Sequence, residues 1–194
     1  METFTEKTFN LPELSGISAK NIEEHLKLYK GYVTNSNLIL EKITELSADS
    51  EKNAFVLSEL QRRFGFEFDG MRNHEYYFAQ LEGGAKESSE SALKNKIAVT
   101  WGSFDAWLAR FKAIALTRGV GWAMLYYDPM TDRLLNAWVD EQHLGQLSGL
   151  SPILALDMWE HAFVYDYPTS EKKKYVEAFF NNLNWKTIED RFGK

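Results

Sequence analysis

Leu156-Asp157-Met158-Trp159-Glu160-His161-Ala162-Phe163 places a carboxylate and an imidazole four residues apart, directly after the apolar run Pro152-Ile153-Leu154-Ala155-Leu156. A short apolar run bounded by Ser148-Gly149 and Ser151-Pro152 predicts a buried strand. Asp157 then emerges at the end of that strand, inside the protein. A carboxylate and a histidine entering a core bordered by Trp159 and Phe163 need a compensating charge or full hydrogen bonding. A metal ion supplies that compensation, and a carboxylate with neutral imidazole is a common ligand set for first-row metals. Two ligands do not complete a site, so the other ligands must come from elsewhere in the chain.

The composition narrows what that site can be. At 194 residues the chain suffices for one sizeable domain or two small ones sharing a core. Hydrophobic content of 44% with 26% charged residues is that of a soluble globular protein. A formal charge of −6 with no basic stripe argues against a nucleic-acid partner. The absence of cysteine excludes disulfides, iron–sulfur clusters and thiolate zinc sites. No apolar segment approaches the ~18 residues of a membrane span, and Met1–Leu11 lacks a signal-peptide pattern, so a cytoplasmic protein is expected. His25, His74, His143 and His161 are the only histidines, so an imidazole-rich site must draw on most of them.

Along the chain, an extended arm over Thr5–Ser15 gives way to Ser18, a candidate helix cap. Ile22, Leu26, Tyr29 and Val33 then mark one face of a long helix, with His25 beside that face. The polar stretch Ser47–Asn53 closes it. Asn53–Phe64 reads as a shorter helical segment ended by Gly65, and Phe66-Glu67-Phe68-Asp69-Gly70 as a turn. Met71, His74, Phe78 and Leu81 recur at helical spacing, so His74 points inward on a second long helix. Glu82–Ala92 has the composition of a linker. Beyond it, Ile97, Trp101, Phe104, Leu108, Phe111 and Ala115 predict one amphipathic helix, with Ser103 an alternative start. Gly119-Val120-Gly121 breaks it. Trp122–Tyr127 and Arg133–Val139 form a hairpin about Asp128–Asp132, Pro152–Met158 is a third strand, and Glu171–Leu183 a closing helix. The layout is an all-helical first half and an α+β second half with a small antiparallel sheet.

Two inward histidines in the first half and an Asp–His pair in the second make a set of three histidines and one aspartate. At this point the chain resembles the iron/manganese superoxide dismutases, whose Asp-x-Trp-Glu-His-Ala signature Asp157–Ala162 matches. The resemblance extends to Leu11-Pro12, Tyr32-Val33-Thr34-Asn35, Asn73-His74, Gly119-Val120-Gly121-Trp122 and Asn184-Trp185. It implies a mixed α/β (α+β) fold: a long N-terminal helical hairpin, then a C-terminal α/β domain with a three-stranded antiparallel sheet. With the boundary in the linker, the two units are residues 1–84 and 90–194. The implied metal ligands are His25, His74, Asp157 and His161, with a water or hydroxide as the fifth. The implied activity is disproportionation of superoxide to dioxygen and hydrogen peroxide by redox cycling of one Mn or Fe ion. All-nitrogen and oxygen ligation suits that chemistry, since it avoids thiols that superoxide would oxidise.

The family also implies roles around the metal. A Gln or His donates a hydrogen bond to the solvent ligand from one of two places. The iron-type place is Gly70 here, which cannot donate. The other place lies in Asp140–Gly145, where counting back from Asp157 favours Gln142 and a one-residue gap would substitute His143. That arrangement resembles the manganese type, with iron the close second choice. Tyr32 matches the tyrosine that gates access and passes hydrogen bonds to the solvent ligand. Trp122, Trp159 and Phe78 match the apolar wall. Glu160 matches the glutamate that bonds a ligand histidine of the neighbouring subunit, implying a homodimer in which Glu160 meets the partner's His161. Lys30 and Lys172 are candidates for drawing in the anionic substrate.

Three departures stand out. The family's second histidine on the first helix has no counterpart, since Leu28 and Tyr29 occupy that region. The His25–Tyr32 spacing is one residue shorter than usual, which suggests that a helical bulge is absent. Val164 stands where a tyrosine is expected. A metal-binding family member with weak or no activity is therefore one alternative, and measured metal content without superoxide consumption would support it. A non-haem iron oxygenase is the other, since two histidines and a carboxylate can form a facial triad. The helical first half and the third histidine argue against it.

Overall fold

Ser18 ends the extended N-terminal arm and starts the first helix, its hydroxyl accepting a hydrogen bond from the Asn21 amide at 3.1 Å. The computed structural model describes residues 2–88 and 90–192, and Met1, Ser89, Gly193 and Lys194 lie outside the described residues. Helix α1 spans Ala19–Leu46 and α2 spans Ala54–Ala79, joined by a short 3-10 turn over Ser47–Asp49, and the two pack along each other. Helices α3 (Ala92–Trp101) and α4 (Phe104–Ala115) follow, then strands β1 (Gly121–Asp128), β2 (Arg133–Asp140) and β3 (Ser151–Asp157). 3-10 turns over Glu160–Ala162 and Thr169–Glu171 and helices α5 (Lys172–Asn181) and α6 (Trp185–Glu189) complete the order.

The sheet has the order β2-β1-β3 with both pairings antiparallel, as the hairpin and the apolar third strand predict. Central β1 sits between the two others, and its residues Gly121 to Tyr126 are all buried. β3 is buried from Ile153 to Asp157 and lies against α2. The register sets Trp122 of β1 opposite Asp157 of β3. Gln80, at the end of α2, accepts from the Ala155 amide and donates to its carbonyl, tying the helical hairpin to β3. Fixing α2 on β3 is what brings the two halves of the site together.

The structure corrects several of the local readings. Residues 54–79 form one helix, not a short segment, a turn and a second helix. Gly65 and Gly70 stay helical because each costs only about 1 kcal/mol relative to alanine, which packing outweighs. Gly70 supplies space as well, since a Cβ there would lie 2.6 Å from the Tyr32 ring. The supposed turn also holds an i,i+4 pair, with Arg63 2.7 Å from the buried carboxylate of Glu67.

The opposite correction applies to residues 92–115, which are two helices. Gly102 adopts φ +90 and closes α3 through its amide to Ala98, and the Ser103 hydroxyl then caps α4 at the Ala106 amide. The inward stripe of α1 is Asn21, His25, Tyr29, Val33 and Ser36, so His25 lies on the buried face rather than beside it. Ile22 and Leu26 are its half-buried flank, and Leu38 is exposed. The closing helix is shorter than expected, Lys172–Asn181, and the additional α6 packs against β3. Tyr175, Val176, Phe179 and Leu183 are all buried, as their spacing requires.

Candidate metal centre

Each donor reaches the centre by a separate local device. His25 and His74 lie on the facing stripes of α1 and α2, and both are fully buried. Asp157 is the last residue of β3, held there by pairing with Trp122. Its Oδ1 accepts from the Trp159 amide at 2.8 Å, which turns the chain into the 3-10 turn carrying His161. The other carboxylate oxygen, Oδ2, faces three ring nitrogens: Nε2 of His25 at 3.0 Å, of His161 at 3.1 Å and of His74 at 3.5 Å. One donor atom from each of the four residues lies within 4.8 Å of all the others.

The chemistry of this donor set requires a cation. The Nδ1 of His74 lies 2.6 Å from the carbonyl of Gly70, an acceptor only, so Nδ1 carries the proton. Burial, with the nearby His25 adding to it, pushes the His74 pKa down to about 3, so the ring is neutral and its Nε2 is a bare lone pair. That lone pair has no hydrogen-bond partner and points at a carboxylate oxygen. Two acceptors face each other across a dry core, and a positive ion between them removes the conflict. Burial likewise lowers the pKa of His25, against the raising effect of Asp157. Burial alone would raise Asp157, but the charge and hydrogen bond of His161 and the hydrogen bond of His25 outweigh it and hold the carboxyl below its usual range. Neutral imidazoles at His25 and His74 beside an ionised carboxylate give donors in the protonation state that a first-row metal needs.

Aromatic rings enclose the donors. Tyr77 and Phe78 stand 4.8 and 4.9 Å from the His25 ring, centroid to centroid. Tyr32 and Trp122 flank His74 at 5.0 and 5.1 Å. Trp159 stacks on His161 at 5.7 Å, its indole N–H held by the Glu141 carbonyl. This dry wall strengthens the electrostatics inside it and fixes the ring orientations.

The remaining candidates separate clearly. Gln142 is fully buried and spans two of these aromatics: its Oε1 accepts from Trp122 Nε1 at 2.9 Å and its Nε2 donates to the Tyr32 hydroxyl at 2.9 Å. Burial, with the Asp157 charge, raises the Tyr32 pKa, so that phenol stays protonated at neutral pH. His143 turns the other way, toward Phe66 at 5.7 Å and Gly65 of α2. Glu160 is exposed, and the His161 side chain keeps 19% of its surface open. Lys30 lies 3.6 Å from Glu6, and Lys172 donates to the Thr117 carbonyl. Among the described residues, α1 runs as uninterrupted α-helix from His25 to Tyr32, without a bulge. Two contributors were not foreseen: the Tyr77 ring against His25, and the backing of Gln142 by residues on α2 and β1. Nothing local in the sequence marks either.

Comparison with known proteins agrees with the geometry. Residues 89–191 match the family model for the C-terminal domain of iron/manganese superoxide dismutases. Similar proteins include an iron superoxide dismutase of Aquifex aeolicus, 38% identical over 186 residues and covering 93% of this chain and 86% of that protein. An iron superoxide dismutase of Cupriavidus metallidurans is 37% identical over 183 residues, 93% of this chain and 90% of that protein. A manganese superoxide dismutase of Nocardia asteroides is 35% identical over 184 residues, 94% of this chain and 86% of that protein. On the fold, the convergent donor set and these relatives together, the chain belongs to the iron/manganese superoxide dismutase family.

Proposed function

We propose that the protein disproportionates superoxide at one manganese or iron ion held by His25, His74, Asp157 and His161, with manganese the preferred occupant. The observation that carries this is the convergence of three imidazole nitrogens on Asp157 Oδ2, one of them a lone pair with nothing to accept from. An ion held by these four residues would supply the one-electron redox chemistry by which one superoxide is oxidised to dioxygen and a second, with two protons, is reduced to hydrogen peroxide. Everything else is done by the chain's own groups. Asp157 brings a negative charge to three imidazole donors in a water-poor cage, a ligand set suited to a multivalent cation. Tyr32 and Gln142 form a hydrogen-bonded pair beside His74, and the protonated Tyr32 hydroxyl can hold a proton there without ionising.

Gln142 is assigned as the donor to the reacting region, in place of His143, because its amide lies between Tyr32 and Trp122 while His143 lies against Phe66. Gly70 at the alternative place has no side chain, and this pairing supports manganese. Apoprotein reloaded separately with manganese and with iron should consume superoxide faster with manganese. Gln142→Ala should lower turnover about tenfold or more and shift its pH dependence, while His143→Ala should leave both unchanged. Bound metal without superoxide consumption would instead support an inactive metal-binding protein.

The proposal includes a homodimer in which Glu160 reaches the partner's His161. Its support is the exposure of Glu160 beside a partly open ligand, with exposed Val164 and Tyr165 following in sequence and exposed Leu28 on the helix that packs on this turn. A carboxylate bonded to the outer nitrogen of a ligand histidine would fix its tautomer and orientation. Glu160→Ala should shift sedimentation toward monomer and lower metal retention together. Unchanged dimer mass with unchanged metal would remove Glu160 from the interface.

A further inference from the structure

The segment that follows β2 carries Gln142 into the site; backbone bonds between Asp140 and Leu144 and from the Glu141 amide to the Val120 carbonyl tie its start, and side chains hold the Gln142 backbone itself. The backbone carbonyl of Gln142 accepts two hydrogen bonds, from Asn73 Nδ2 at 2.9 Å and from Gln146 Nε2 at 3.3 Å. The Gln146 amide nitrogen also donates to Asn73 Oδ1 at 3.0 Å, and the Tyr126 hydroxyl donates to Gln146 Oε1. The directions follow from one another. A carbonyl can only accept, so Asn73 presents its nitrogen to Gln142 and its oxygen to Gln146. Gln146 must then present nitrogen there, which leaves its oxygen for Tyr126. Every donor in the cluster has an acceptor.

This arrangement joins three parts of the fold. Asn73 precedes the donor His74 on α2, Tyr126 is a buried residue of central β1, and Gln142 and Gln146 belong to the connecting segment. On its other side Gln142 bonds Tyr32 and Trp122 with both ends of its amide, so a backbone shift of about 1 Å would break those bonds. We infer that Gln146, anchored by Tyr126, is a positioning residue that holds Gln142 at its working distance from Tyr32 and Trp122. The inference rests on the reading that Gln142 influences the reacting region, and the test separates the two.

Gln146→Met keeps length and neutrality but removes both ends of the amide, and Tyr126→Phe removes only the anchor. With metal bound, Gln146→Met should retain wild-type metal content, lower turnover about fivefold and displace the midpoint potential and pH profile in the same direction as Gln142→Ala. Tyr126→Phe should do the same to a smaller extent. A potential and pH profile like wild type in both variants, with Gln142→Ala displaced, overturns the inference while leaving the role of Gln142 standing. Should Gln142→Ala itself leave the potential and profile unmoved, the reading of Gln142 fails and this inference fails with it. If Gln146→Met does not fold, Tyr126→Phe decides on the same readouts.

Discussion

Asp157→Asn is expected to give a folded protein that retains less than about a tenth of the wild-type metal and loses at least about a hundredfold in superoxide consumption. Asparagine keeps the shape and can still accept from the Trp159 amide through its oxygen, so the turn into His161 should survive. What disappears is the one negative charge among the four donors. In a fully buried site that charge stabilises a divalent or trivalent ion by several kcal/mol even at an effective dielectric of about 20. Stability should report the same loss. An ion present at about a thousand times its dissociation constant adds about 4 kcal/mol to the folded state. For a chain of this size that is a melting temperature higher by about 8–16 °C. Thermal unfolding with and without chelator should therefore show a large difference for the wild type and none for Asp157→Asn. Stoichiometric metal in the variant would contradict the assignment of Asp157 as a ligand.

The second large effect is structural. Gly121 opens β1 at φ +157, pairs with Asp140 of β2, and its carbonyl accepts from the Met158 amide at 2.8 Å. A Cβ at this position would lie 2.1 Å from the Val139 carbonyl oxygen. The obstacle is backbone in a paired strand, not a movable side-chain tip, so relief requires the strands to part. Gly121→Ala is expected to cost about 4 kcal/mol or more, lowering the melting temperature by about 8–16 °C. Metal retention should fall as well, because the neighbouring residue Trp122 pairs with Asp157 and flanks His74. Gly31→Ala is the control: nothing lies within 4 Å of its Cβ, and it sits in α1. It should stabilise by roughly 0.5–1 kcal/mol. A Gly121→Ala variant as stable as wild type would mean that this strand junction yields more easily than its geometry states.

These outcomes bear on how much could be read from the residues themselves. The Pro152–Leu156 run, the hairpin about Asp128–Asp132 and the Ser18 cap were legible because each is encoded by neighbours a few positions apart. The inward stripes of Met71, His74, Phe78 and Leu81 and of Tyr175, Val176 and Phe179 were legible for the same reason. The glycines were not. In the sequence Gly70 reads as part of a turn yet sits inside a helix, whereas Gly102 falls within an expected helix yet ends one. The Tyr32 ring lies against Gly70, so a residue on α1 explains why glycine stands inside α2 there.

The donor types followed from the sequence alone, through burial arguments on Asp157 and His161 and the helical register of His74, with the family resemblance completing the set. Their convergence on one carboxylate oxygen belongs to the tertiary structure, since His25 and Asp157 are separated by 132 positions. So does the orientation of Gln142 toward Tyr32 and Trp122 and of His143 toward Phe66. Adjacent residues on an irregular segment point in different directions, and no periodicity says which one enters. That orientation is set by Asn73, Gln146, Tyr32 and Trp122, which approach from α2, the connecting segment itself, α1 and β1. Local propensity chooses elements and faces. Contacts between residues far apart in the chain choose which side chain turns toward the donor cluster.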